Sequence, residues 1–156
     1  MRGASALESL LAEFPDSLLR VQVVWEPVLR TDIAPPVTSV LGLVSDRRVS
    51  QYWDPWRIVS ADLVRAVNEN PAQYGFEGPL PAGFIAWDVV AVFSRSAVWS
   101  TNIPVPAHYA GPVRDAIAET RTALRAELAV ARAGLRHSAR AWEPAPSAEA
   151  PRTDPG

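Results

Sequence analysis

RVSQYWDPWRIVSADLVRAV, residues 48–67, passes from one kind of order to another. RVSQYW reads as a short strand rich in β-formers, and Asp54-Pro55 then supplies a turn. From about Val59 or Ser60 the residues Leu63, Val64 and Val67 recur at helical spacing, so a helix follows with that face inward. Strand, turn and helix in succession are the unit of an α/β layered domain.

Working outward, the chain supplies counterparts on both sides. Ser5 with Glu8 three residues later has the form of a capping box, followed by Leu7, Leu10, Leu11 and Phe14 at helical spacing, and Pro15 ends that helix. Residues 19–25 then form a largely buried strand, with Val21, Val23 and Trp25 on one face. PVLRTDIAPP is a loop, and a short helix through Val40, Leu41 and Val44 follows Pro36. Beyond the opening stretch, residues 68–84 read as loop, AWDVVAVF (86–93) as a strand, SRSA (94–97) as a tight turn and VWS (98–100) as the return strand of a hairpin. Pro112, a favoured first helical residue, opens a long helix to about Arg136. The order is α, β, α, β, α, β, β, α, which predicts helices covering a mixed sheet.

With 156 residues and 48% hydrophobic content the chain can bury a core as one domain over residues 1–140. Residues 141–156, Pro- and Ala-rich without period, read as a disordered tail. The formal charge of −2 exerts no global pull toward nucleic acid or an anionic membrane, so neither is an expected partner. MRGASALESLLAEFP becomes charged before an apolar stretch accumulates, and no apolar run approaches the ~18 residues that span a bilayer. The expected location is therefore the cytoplasm.

The absence of cysteine has the sharpest consequence. No thiol nucleophile and no thiolate metal site can form from this sequence. His108 and His137 have no second ligand at metal spacing. No Gly-x-Ser-x-Gly elbow or phosphate-binding glycine loop is present, so hydrolase and nucleotide-binding readings lack an anchor. No catalytic residue, cofactor or metal is expected.

The Trp-Asp pairs, Trp53-Asp54 and Trp87-Asp88, admit two readings. Together with Trp56 and Trp99 they could line an aromatic cleft for a small molecule. Large aromatics at strand ends more commonly cap a sheet's core, and Asp54 and Asp88 then serve as acceptors for backbone N–H groups. A WD-repeat propeller is excluded, since its blades need four strands each and several blades per ring.

The set VQVVWEPVL (21–29), DRRVSQYWDP (46–55) and AWDVVAVFSRSAVW (86–99), with a closing helix, resembles a group of bacterial thioredoxin-like proteins over roughly residues 5–135. The resemblance implies a thioredoxin-like mixed sheet flanked by helices. The opening helix would be the one that normally follows Cys-x-x-Cys, and AWDVVAVF the strand normally introduced by a cis-proline. Two departures stand out: there is no Cys-x-x-Cys, and Ile85 occupies the place of that proline. The family's first strand is also missing, which carries the expectation that it lies upstream of Met1 with a cysteine before Arg2-Gly3. The function implied is a redox-inactive domain with a structural or protein-interaction role. The alternative is a thiol-dependent oxidoreductase or metal handler completed by that upstream motif.

One further surface is legible in the last helix. At 100° per residue Val113, Ile117, Leu124, Leu128 and Leu135 fall within about 60° of one another, the expected buried stripe. Arg114, Arg121, Arg125, Arg132 and Arg136 form a second stripe beside it. Such arginines more often cover apolar edges with their stems than follow an acidic partner. The helix outruns a thioredoxin-sized sheet, so its final turns, carrying Arg121, Arg125, Leu128, Arg132 and Leu135, are expected to meet a partner or a second copy.

Overall fold

A computed structural model describes residues 2–15 and 18–141, with side chains as far as residue 137. The elements come in the expected order: α1 (Arg2–Glu13), β1 (Val21–Trp25), α2 (Thr38–Leu41), β2 (Val49–Trp53), α3 (Ile58–Glu69), β3 (Val90–Val92), β4 (His108–Ala110) and α4 (Val113–Ala141). A single 3-10 turn at Pro71–Tyr74 interrupts the expected loop after α3. The tail expected from residue 141 lies outside the described residues, apart from Ala141 where α4 ends.

α1 corrects the capping-box reading. It begins at Arg2, so Ser5 lies inside the helix and its carbonyl accepts a hydrogen bond from Ser9 Oγ at 3.0 Å. Glu8 does not reach back along the helix; its carboxylate accepts the backbone N–H and hydroxyl of Ser45 at 3.1 and 2.8 Å. The carbonyl end of α1 is closed by Arg48, whose guanidinium donates to Leu11 O at 2.9 Å and to Phe14 O. A cation there also complements the negative end of the helix dipole.

The expected single mixed sheet is instead two separate pairs. β1 and β2 are parallel, with Val21 opposite Val49 and Trp25 opposite Trp53, while β3 and β4 are antiparallel. Gln51 fastens the first pair to α2: its amide donates to Leu41 O and Val44 O, and its Oε1 accepts Trp25 Nε1–H at 2.9 Å. α2 is shorter than expected, ending before Val44, which is nonetheless buried.

The return strand of the hairpin is His108–Ala110 and not the expected residues 98–100. Ser94 and Ala97 do form a turn, with Ala97 N–H on Ser94 O, but Val98 and Trp99 are exposed and do not pair. The chain runs on through residues 93–107 and returns at His108–Ala110. Packing decides this: Tyr109 meets the rings of Tyr74 and Phe76 at 6.2 and 5.9 Å, whereas Trp99 has the ring of Phe93 at 6.3 Å. β3 is also shorter than residues 86–93, because Asp88 at φ 53° ends any extended run before it.

α4 packs along β3, β4 and α1. Leu124 and Leu128 join Leu10, Phe14 and Val92 in one buried cluster, while Leu63, Val67, Tyr74 and Ile103 form a second beneath α3. Thr120 is buried in α4 and donates its hydroxyl to Ala116 O. Its oxygen also lies at hydrogen-bond distance, 3.2 Å, from His108 Nε2, which ties β4 to α4. No helix among the described residues is long and apolar enough to cross a membrane.

Candidate functional site

The carboxyl ends of parallel strands are where open α/β sheets commonly place their sites. Here β1 runs into Glu26 and β2 into Asp54, and both carboxylates meet the amino end of α3. Asp54 Oδ1 accepts Trp56 N–H at 3.2 Å and Oδ2 accepts Val59 N–H at 2.8 Å. Glu26 Oε1 accepts Ser60 N–H at 3.0 Å, so helical N–H groups without intrahelical partners are taken up by acids.

Glu26 is the unusual member. Its Oε2 is enclosed and has no hydrogen-bond partner. Burial raises its pKa above the ordinary carboxylate value; the Ser60 N–H opposes the rise, the charge of Asp54 adds to it and Arg57 opposes it. Arg57 itself stands at φ 55°, a left-handed conformation that a side chain makes costly, with its Nε donating to Pro27 O at 2.6 Å.

The lead-in to β3 is fastened to the same place. Ser60 Oγ accepts Ala86 N–H at 2.7 Å. Two residues on, Asp88 has the second left-handed non-glycine backbone among the described residues, and its carbonyl receives the first N–H of α4 from Val113 at 2.9 Å. Its carboxylate lies against the amino end of α1. A Cβ at Gly3 would come within 2.5 Å of Asp88 Oδ1, so the Asp88 side chain would have to shift, and one at Gly111 within 2.8 Å of Asp88 O, a backbone approach that requires glycine. Four segments thus converge: the end of β1, the start of α3, the lead-in to β3 and the start of α1.

The tryptophans do not do what core packing would require. Trp56 is 81% exposed and Trp87 62%. Their backbones are held by neighbouring aspartates and turns, which leaves the rings outside. Trp53 is half-buried at the end of β2. Trp99 lies apart with Phe93, at the start of the 93–107 loop. A cavity of about 180 Å³ lies between α3, the 3-10 turn and residues 102–105, and no tryptophan lines it. Trp56 and Trp87 therefore stand on the surface rather than capping a sheet's core.

Of the expected interaction residues on α4, most are occupied within the chain. Arg121 pairs with both carboxylate oxygens of Glu13 at 2.7 and 2.8 Å, and Arg125 lies 6.0 Å over the ring of Phe14. Leu128 belongs to the core and is not available to a partner without unfolding. Arg132 and Leu135 are exposed. Among the described residues, no three His, Asp or Glu side chains gather as a metal site needs.

Sequence reasoning missed Glu26 and Ser60. The available signal was a glutamate directly after an apolar strand, facing a serine in the first turn of the helix that follows. No protein-family model, curated protein or solved structure matches the chain.

Proposed function

We propose that the chain is a redox-inactive, thioredoxin-like protein-interaction module whose β1 edge accepts an extended segment of a partner. One observation carries this reading. Val21 N–H donates to Arg48 O and Trp25 O accepts Asp54 N–H, so the odd residues of β1 face β2. In a parallel ladder Gln22 and Val24 then turn their N–H and C=O groups the other way, where no described strand pairs with them. An edge with such groups is a template for another extended chain. The outer edge of β2 is the weaker candidate, since Val49 N–H is already taken by Asp46 O.

The thioredoxin-like part of the reading is supported by the meeting of the amino end of α1 with the lead-in to β3, the two places where the resemblance puts a redox motif and a cis-proline. It is also supported by the antiparallel β3 and β4 leading into a long closing helix. Thiol exchange needs an attacking thiolate, and the sequence supplies none.

The test uses a displayed library of extended peptides as probe. Hydrogen exchange at Gln22 and Val24 is expected to be fast in the free protein and slowed by a selected peptide. Val24→Pro, which deletes one edge donor, should weaken that binding at least tenfold. Amides at both positions that are already slow in the free monomer would show the edge to be closed and end the proposal.

A second reading, association of two copies through α4, is favoured by Leu135. It lies two turns beyond Leu128 on the same face, past the end of the buried cluster, and is 39% exposed. Leu135→Glu should convert a dimer detected by light scattering to monomer while moving stability by less than about 0.5 kcal/mol. A wild-type protein that stays monomeric at high concentration removes this reading.

A further inference from the structure

We propose that Glu26, through Ser60, forms a proton-operated latch that holds residues 84–88 to the amino end of α3 and lets them go when the carboxylate is charged. The latch regulates the surface at the end of β1 and rests on that reading for its use, but its operation is measured without any peptide, so the two can fail separately.

The connections form one line. Glu26 Oε1 accepts Ser60 N–H, and Ser60 Oγ accepts Ala86 N–H. The segment so held carries Phe84 and Trp87, 39% and 62% exposed, and then Asp88 in its left-handed conformation. Among the described residues, Ser60 is the residue whose hydrogen bonds join Glu26 to the 84–88 segment. Loss of the Ser60 position therefore takes from Ala86 its hydrogen bond and leaves its packing beside Leu63, Val67, Tyr74 and Ile103 as the remaining hold.

The driving force lies in the other oxygen. Glu26 Oε2 is enclosed without a donor. As a neutral acid the group tolerates that place at modest cost; as a carboxylate it leaves a charge on an enclosed oxygen with no hydrogen bond, which is far more costly. Rotation of the side chain toward water relieves the cost and gives up Ser60 N–H. The charged groups that face Glu26 are Asp54, which resists its ionisation, and Arg57, which favours it. Asp88, the ionisable group of the 84–88 segment, is turned toward Gly3 of α1.

The sign follows from burial. A carboxyl whose folded-state pKa is raised stabilises the closed state fully below its unfolded value, and that contribution is lost as pH rises through the folded value. The latch is thus closed in acid and opens toward neutral and higher pH, with a midpoint above the ordinary 4.5.

Amide protection factors, corrected for the intrinsic pH dependence of exchange, read the latch directly. Protection at Ser60 and Ala86 should fall together by at least tenfold as pH rises through the midpoint, while the amides of Leu63 and Val67 stay constant. The Glu26 side-chain carboxyl carbon should titrate at that same midpoint in the wild-type protein, a measurement that needs no variant. In Glu26→Gln, whose Oε1 can still accept Ser60 N–H, protection should remain high at every pH. In Asp54→Asn the midpoint should move down. The proposal is overturned if Ser60 and Ala86 do not change with pH, if the change survives in Glu26→Gln, or if the carboxyl carbon titrates elsewhere.

Discussion

Replacing Arg48 with alanine should lower the unfolding free energy by about 3 kcal/mol, a large loss for a side chain outside the apolar clusters. Arg48 is only 8% exposed and serves three places at once. Its guanidinium closes Leu11 O and Phe14 O at the end of α1, and it binds both carboxylate oxygens of Asp46, by Nε to Oδ1 at 2.9 Å and by Nη2 to Oδ2 at 2.5 Å. Alanine leaves an unpaired carboxylate and two helix-end carbonyls that must find water or go without. Arg48→Lys should recover only part of the loss, because an ammonium on a flexible stem cannot span a carboxylate and two carbonyls as the planar fork does.

The same pair predicts an acid limb. Arg48 holds the Asp46 carboxyl well below the usual carboxylate range, first through the side-chain hydrogen bond and then through its backbone N–H. A depressed folded-state pKa contributes stability above the unfolded value, and that contribution is lost as pH falls through the folded one. Urea midpoints measured at neutral and acid pH should therefore converge between wild type and Arg48→Ala as acid protonates Asp46. A loss under about 1 kcal/mol at neutral pH would mean that water replaces the guanidinium at little cost.

What could be read from the sequence follows the range over which each feature is determined. α3 was legible because Leu63 and Val67 repeat within one helix and both are buried against its own side of the core. The order of elements was legible for the same reason. The capping box was not, since Ser5 and Glu8 have the same spacing inside a helix as at its start, and the partner that claims Glu8 is Ser45, 37 residues away. β4 was missed because a three-residue strand has no period to display, and the rings of Tyr74 and Phe76 that favour Tyr109 come from a stretch read as loop. At the candidate site the aspartates and tryptophans were found by type. Their exposure was misjudged, because backbone bonds to Asp54 and Ser60 set where those rings point. Glu26 escaped notice because Ser60 lies 34 residues beyond it and its significance lies in an oxygen that nothing meets.

Leu128→Glu should leave no folded population at room temperature, and it is the sharpest measure of how α4 is used. Leu128 is 8% exposed and packs with Leu10, Phe14, Val92 and Leu124, so it holds α1 and β3 to α4 in a single contact region. Truncation to alanine at such a position costs about 2–5 kcal/mol from lost burial and the cavity left behind. Glutamate adds the desolvation of a charge with no partner in an apolar cluster, which brings the total to the order of the roughly 5–15 kcal/mol by which whole domains are stable. Leu135→Glu, two turns further along the same face, removes little buried area and should leave the unfolding transition in place. Far-ultraviolet circular dichroism and thermal melts of the two variants therefore separate two uses of one stripe, α4 closing the core at Leu128 and offering surface at Leu135. A cooperative melt near the wild-type midpoint for Leu128→Glu would mean that α4 does not dock through this face, and the assignment of α1, β3 and α4 to one core would fall with it.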